Sequence, residues 1–395
     1  MTIFEKTPAL RWAVPAVTAV ALVGGGSAIS GLHAIADAGL PARSAAQLLV
    51  DVQQARLDGL SGTVVQKSDL GLPSLPGIGG SGGVASSNLT SLISGTHTMR
   101  VWFAGPDKAR MALLGTLGES DVIHNGNDVW VWASQDKTAK HYVLPAHVAG
   151  KSKTTPGLPG PAEVPTSPQA AADKALAAIS PSTEVTTSGT ATVAGRSAYE
   201  LVLTPKEATS LVGQVRIAID GIKHVPLRVQ VFAKSLTHPK SVADPVFEVA
   251  FSDVHFSRPD AAQFTFTPPP GTTVTEGKMP TAGKAAAGST TNTTAPQTNS
   301  ADMPKVIGKG WGSVVVVTMP APNATAGTSG STGATADKTV AQLMKYVGLL
   351  PKVRGTWGSG HLMKGAVFSA LLTDDGRLVV GAVTPEGLYA TLPAK

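Results

Sequence analysis

Ser81 stands in Gly79-x-Ser81-x-Gly83, the spacing of a nucleophile elbow. That motif lifts a serine on a tight strand-to-helix turn, where its hydroxyl can attack an acyl carbon. Gly77-x-Gly79-x-x-Gly82 overlaps it with the spacing of a dinucleotide-binding turn. Both chemistries need a strand before and a helix after. Here "GLPSLP" precedes and "VASSN" follows, so the stretch reads as a Gly/Ser loop. Gly277 and Gly283-Lys284 resemble part of a phosphate loop, but the spacing is wrong and Ala285 stands where Ser or Thr would hold magnesium.

The 9 histidines lie at 33, 97, 124, 141, 147, 224, 238, 255 and 361. None forms H-x-x-x-H, H-x-H or a tight local cluster with carboxylates, so zinc has no local support. His124 and His255 read as half-exposed residues near strand ends. Asp374-Asp375 precedes Gly376 between apolar runs, the pattern of a turn rather than of an acid/base pair. Glu200 and Glu248 alternate with apolar neighbours, as on the solvent side of a strand. No Ser/His/Asp set can be assembled. These readings favour a binding protein without a cofactor over an enzyme.

What remains is apolar surface on strands. In "TMRVWFAG", Met99, Val101 and Phe103 share one face and Arg100 and Trp102 the other. In "DVWVWAS", Val129 and Val131 share one face and Trp130 and Trp132 the other. A half-exposed strand shows one polar face. These strands are apolar on both, so either both faces are covered by protein or one lines a hollow for an apolar ligand.

The elements that must position these residues come from a chain of 395 residues, enough for two domains and connecting material. It is 42% hydrophobic and 15% charged, with 43 Gly and 29 Pro. The formal charge is +6, unchanged if residues 1–38, with Glu5, Lys6, Arg11 and Asp37, are removed. No basic block with interleaved aromatics is present, which argues against nucleic acid. The absence of cysteine excludes disulfides, thiolate sites and a lipid-modified N-terminal Cys. Lys6 and Arg11 precede an uncharged apolar run, and Ala36-Asp37-Ala38 supplies an A-x-A cleavage site. Trp12 to Ala36 is also long enough to stay as a membrane anchor. Either reading places the remainder outside the cytoplasm, secreted or tethered.

"SAAQLLVDVQQARLDGLSG" reads as a helix with Ser44 as N-cap, Gly59 as stop, and Ala45, Leu48, Leu49, Val52 and Ala55 on one face. "GTVVQKSDL" follows as a strand. A meander comes next, turning at Gly105-Pro106-Asp107, at Asn125-Gly126 and at Gln135-Asp136-Lys137. Residues 146–168 are Pro/Gly-rich, and Pro168 to Ser180 reads as a helix. Strands resume through "GTATVAG", "SAYELVLTP", "QVRIAID", "VPLRVQVFA" and "PVFEVAFSDVHFS". "FTFTPPPGTTV" ends them on prolines that cannot continue a ladder. Residues 276–305 read as a flexible linker. A small C-terminal α+β domain, 306–395, offers the strand "GWGSVVVVTMP", a helix carrying Val340, Leu343, Met344 and Val347, and a hairpin across Asp374-Asp375-Gly376.

The order of these pieces resembles the LolA-like superfamily of extracytoplasmic lipid and lipoprotein binders, with the N-terminal domain of RseB. The likeness covers about residues 44–275. It rests on "AQLLVDVQQA", "LSGTVVQ", "RVWFAGPDKARM", "IHNGNDVWVW", "GRSAYELVLTPKE", "FSDVHF", "FTFTPPPG" and above all "IDGIKHVPLRVQVF". The Ala/Gly bias looks like a high-GC actinobacterial member. The resemblance implies an α+β, mostly β fold over 39–275: a curved, incomplete antiparallel β-barrel covered by helices. It implies an apolar hollow that binds acyl chains, in the manner of a lipoprotein carrier, without catalysis. Leu48 and Val52 from the helix are its expected lining, with Met99, Val101, Phe103, Met111 and Leu113 from the strands. Trp130, Trp132 and Tyr142 join them from the hairpin. An RseB-like regulator binding an anti-sigma factor or envelope sensor is the alternative, and an accessory of an ABC transporter a variant of it. A secreted hydrolase has Ser81 alone in its favour.

Overall fold

The computed structural model describes residues 40–72, 87, 89–144, 181–234, 244–277, 305–318 and 347–393. The N-terminal apolar run, the Ser81 loop, the Pro168–Ser180 helix, most of the 276–305 linker and the helix residues before Val347 lie outside them.

Helix α1 (Ala45–Gln54) starts where the sequence places it. Ser44 closes a capping box: its hydroxyl accepts from the Gln47 N–H at 3.2 Å, and the Gln47 side chain accepts from the Ser44 N–H at 2.9 Å. The helix stops at Gln54, short of Gly59. Arg56 reaches back to donate to the Gln53 carbonyl in the last turn and to the carbonyl of the C-cap residue Ala55. Gly59 has another task. A Cβ there would lie 2.3 Å from the Arg258 Cα, so the glycine permits two backbones to touch.

Twelve strands form one large sheet. They are β1 (Leu60–Ser68), β2 (Gly95–Phe103), β3 (Lys108–Leu114), β4 (Glu119–Asn125), β5 (Asp128–Ala133) and β6 (Thr138–Val143), then β7 (Thr183–Val193), β8 (Arg196–Pro205), β9 (Val212–Asp220), β10 (Pro226–Ala233), β11 (Phe247–His255) and β12 (Thr273–Glu276). The spatial order is β12-β6-β5-β4-β3-β2-β1-β11-β10-β9-β8-β7, and every pair is antiparallel except β6 with β12. The fold is mostly β, an open antiparallel sheet with few helices among the described residues. The sheet curls at one end. β7 and β11 stand four positions apart, ~19 Å if flat, yet their Cα atoms approach within 8 Å.

Asn125-Gly126 makes the β4–β5 turn, with Gly126 at φ 64°. Asp220-Gly221 makes the β9–β10 turn. The buried Asp220 carboxylate accepts from the Ile222 and Lys223 N–H groups and from the Arg196 guanidinium. Burial pushes this carboxyl up, but those hydrogen bonds outweigh it and hold it below the ordinary value.

One element departs from expectation. Pro268–Pro270 do not end the sheet. Residues 256–272 cross over β3, β4 and β5, and the chain then pairs as β12 in parallel with the outer edge of β6. Glu276, the first residue of the expected linker, is therefore a strand residue. The prolines lie in the crossing segment, where no ladder hydrogen bond is asked of them.

A second, six-stranded sheet follows, in the order β13-β14-β18-β17-β16-β15. Its strands are β13 (Lys305–Ile307), β14 (Val314–Thr318), β15 (Lys352–Gly355), β16 (Gly358–Lys364), β17 (Ser369–Thr373) and β18 (Arg377–Gly381), closed by helix α2 (Pro385–Tyr389). Its core gathers Val314, Trp357, Leu371, Val379 and Leu388. The hairpin turn is as read: Asp375 pairs with Arg377, and Asp374 with Lys352 and the Ser359 hydroxyl.

The two sheets are joined along a seam. Leu211 N–H donates to the Ala382 carbonyl at 2.9 Å, Thr384 N–H to the Thr209 carbonyl at 2.8 Å, and Ala366 N–H to the Leu70 carbonyl at 2.7 Å. The Trp311 indole N–H donates to the Thr183 hydroxyl at 2.9 Å. Trp311, Val367 and Ala382 pack on Val212, Val215 and Val229 of the large sheet.

Candidate functional site

Strand register sorts the large sheet into two faces. Leu201, Ile217, Val229, Val249, Gln66 and His97 follow one another across β8, β9, β10, β11, β1 and β2. They share the face that α1 covers, where Leu48 is fully buried against Tyr199, Leu201 and Ile219. Val52 is half-buried at the margin of that cluster.

Met99 and Leu113 face each other on this same side and are fully buried. Val101 is buried with Val64 and Phe251. Further out the covering thins. Phe103, Met111, Val122, Val129, Val131 and Tyr142 are all half-buried, and the pairings Val101–Met111–Val122–Val131 and Val129–Tyr142 place them on the α1 face. They form an apolar field across β2 to β6, ended by Lys140 beside Val131 and by His124 beside Val129.

Trp130 and Trp132 are not in that field. Trp130 pairs with Ile123 and Trp132 with Asp121, so both indoles emerge on the opposite face. There Phe266 of the crossing segment covers them, at ring centroid distances of 5.3 Å and 5.9 Å. The expected lining set is thus divided: the indoles lie on one face, and the strand residues and Tyr142 on the other. The half-buried valines on their own strand stand where the indoles were expected.

The crossing segment lies on a charged row. The Arg110 guanidinium donates to Asp121 at 2.8 Å and approaches Glu119 and the Gln263 carbonyl at 3.5 Å. It also lies 5.2 Å from the Trp102 ring centroid. Asp121 is almost wholly buried, and burial, with Glu119 beside it, pushes its carboxyl up to about 7 against the pull of Arg110.

His141 gathers two carboxylates that no local spacing in the sequence reveals. Its Nε2 lies 2.8 Å from Asp128 and its Nδ1 3.1 Å from Glu276. Its ring stacks on Trp130 at 4.3 Å. The Asp128 contact was within reach of the hairpin register; Glu276 was not. Glu200 also departs from its reading. It stands away from the α1 face but is sealed under Arg228, Arg216 and the Ser188 hydroxyl. His255 lies at the end of β11 beside Asp253, as expected, but is exposed rather than half-exposed.

Among the described residues, no group of three or more His, Asp or Glu side chains is arranged to hold a metal ion. Nor is any helix there long and apolar enough to cross a membrane. No family model and no curated protein matches the chain. Solved structures do. MucB of Pseudomonas aeruginosa, in complex with MucA, is similar at 12% identity and TM-score 0.42, over 89% of this chain and 97% of that one. The Mycobacterium tuberculosis lipoprotein LppX is similar at 12% identity and TM-score 0.25, over 52% and 90%. A LolA superfamily protein of Nitrosomonas europaea is similar at 11% identity and TM-score 0.21, over 57% and 99%.

Proposed function

We propose that this protein works outside the cytoplasm and binds the acyl chains of a lipid or lipoprotein on the α1 face of its large sheet, without catalysis. One observation carries this reading. Phe103, Met111, Val122, Val129, Val131 and Tyr142 form a half-buried apolar field continuous with the fully buried Met99 and Leu113. Each methylene that leaves water there contributes ~0.8 kcal/mol. Lys140 at the rim is placed to meet a carboxylate or phosphate head. The test is uptake of a fluorescent fatty acid by the purified full chain, with native mass spectrometry for lipid carried through purification. Saturable uptake supports the reading. Absence of both bound lipid and uptake overturns it.

A second reading, an RseB-like regulator that binds an anti-sigma factor or envelope sensor, is favoured by the seam. The second sheet packs through Trp311 and Val367 onto the large sheet, so a partner would meet one continuous two-sheet surface. Recovery of one specific membrane protein in a pull-down, with no lipid bound, would favour it over the first.

A further inference from the structure

β12 is weakly built for its place. It has only four residues, all exposed, and it is the parallel partner in an otherwise antiparallel sheet. A short backbone ladder holds it, beginning with the Thr273 N–H to the Lys137 carbonyl at 2.8 Å, and side-chain chemistry is added at its last residues. Glu276 receives His141 Nδ1–H at 3.1 Å, while Asp128 on the other side receives Nε2–H at 2.8 Å. Both nitrogens can donate only in the imidazolium form. The Gly277 N–H donates to the His141 carbonyl at 2.6 Å, and the Tyr142 ring occupies the space a Cβ on Gly277 would need, 2.1 Å from it. Trp130 stacks on the imidazole, and Phe266 of the crossing segment lies on Trp130.

We propose that His141 and Glu276 form a pH-sensitive latch that holds β12 on the β6 edge while His141 is protonated and lets it go when the proton is lost.

The charges facing the ring are Asp128 from β5 and Glu276 from β12; Lys140 and Tyr142 alternate to the other face. Arg110, Glu119 and Asp121 share the ring's face but lie further in, under the crossing segment. The hydrogen bond to Asp128, and then that to Glu276, raises the His141 pKa above the ordinary 6.5. A raised histidine contributes its stability in full below its unfolded value, provided both carboxylates are ionised. The contribution is lost as pH rises through the folded value. On deprotonation the remaining proton stays on Nε2 toward Asp128, the stronger contact. The bare Nδ1 lone pair then faces the Glu276 carboxylate, and the fastening becomes repulsive. Release leaves the outward N–H and C=O groups of β6 unpaired, an open sheet edge. It also frees the last described element before β13.

Hydrogen exchange of the full chain at about pH 6.5 and about pH 9 tests this, with rates corrected for intrinsic chemistry. Peptides covering residues 273–277 are expected to lose protection about tenfold or more at the higher pH, while β8 and β9 keep theirs. His141→Gln and Glu276→Gln are each expected to flatten this difference. Glu276 is exposed, so its variant tests the latch even where the histidine variant folds poorly. Indole fluorescence, quenched by a stacked imidazolium, should rise over the same range and lose that step in His141→Gln. Equal protection of 273–277 at both pH values, or an unchanged difference in the two variants, overturns the proposal.

Discussion

Asp121 and Trp132 stand directly opposite each other on β4 and β5, and among the described residues neither the second Asp121 carboxylate oxygen nor the indole N–H has a hydrogen-bond partner. A buried acceptor and a buried donor side by side are costly to leave unmade. They mark the face under the crossing segment as a place where polar groups are buried beneath aromatic packing.

The pH dependence of stability should show this. Asp121 has its carboxyl pushed up to about 7 in the folded protein. Between the unfolded value and about 7 the folded state therefore holds a proton that the unfolded chain has released. Stability falls as pH rises through that range and levels above it. In Asp121→Asn the slope should be lost, so the melting temperature of the variant relative to the parent climbs from about pH 5 to about pH 8. Parallel curves would show that the carboxyl ionises normally.

Gly59 should tolerate substitution less well than Gly126. Alanine at 126 meets open space and costs only its positive φ, about 1 kcal/mol. Alanine at 59 must push the Arg258 backbone away, a displacement worth about 1–3 kcal/mol. Denaturant titration of the two variants ranks them.

Leu48 fixes α1 to Tyr199, Leu201 and Ile219. Leu48→Ala is expected to cost about 2–5 kcal/mol, against about 1 kcal/mol for loss of the Ser44 cap in Ser44→Ala. A Leu48→Ala loss no larger than that of the cap would mean α1 contributes little packing.

The two faces should separate in ligand binding. Val131→Lys places a charge in the apolar field and is expected to weaken fatty-acid uptake by at least about tenfold. Trp132→Phe, on the other face, should leave uptake unchanged. If Trp132→Phe is the damaging variant, the ligand lies under the crossing segment instead.

Trp311→Phe removes the hydrogen bond to Thr183 and keeps most of the packing. It should destabilise the seam by about 1 kcal/mol. Calorimetry should then show the second sheet melting ahead of the first, where the parent melts the two closer together.

Much of this architecture is legible because its signals are local. The Ser44 cap, Asn125-Gly126 and Asp374-Asp375-Gly376 each act within four residues, and each lies where the sequence places it; that Gln47 completes the cap as a box is seen only in the structure. Gly59 was misread because a helix stop and a close backbone approach ask for the same residue, and the partner, Arg258, is far along the chain. β12 was missed because four exposed residues after three prolines carry no pattern; only the free edge of β6 makes them a strand.

By itself, the alternation of "DVWVWAS" determined that Trp130 and Trp132 share a face and that Val129 and Val131 share the other, since side chains on a strand alternate with period two. Which face looks toward α1 was decided only in three dimensions. α1 settles on side chains of β8 and β9, and Phe266 arrives over the indoles from more than a hundred residues downstream. The same holds for His141. Its partner Asp128 is a hairpin neighbour, but Glu276 is 135 residues away. Periodicity is a property of the local backbone, whereas burial and charge pairing belong to whatever the folded chain brings alongside.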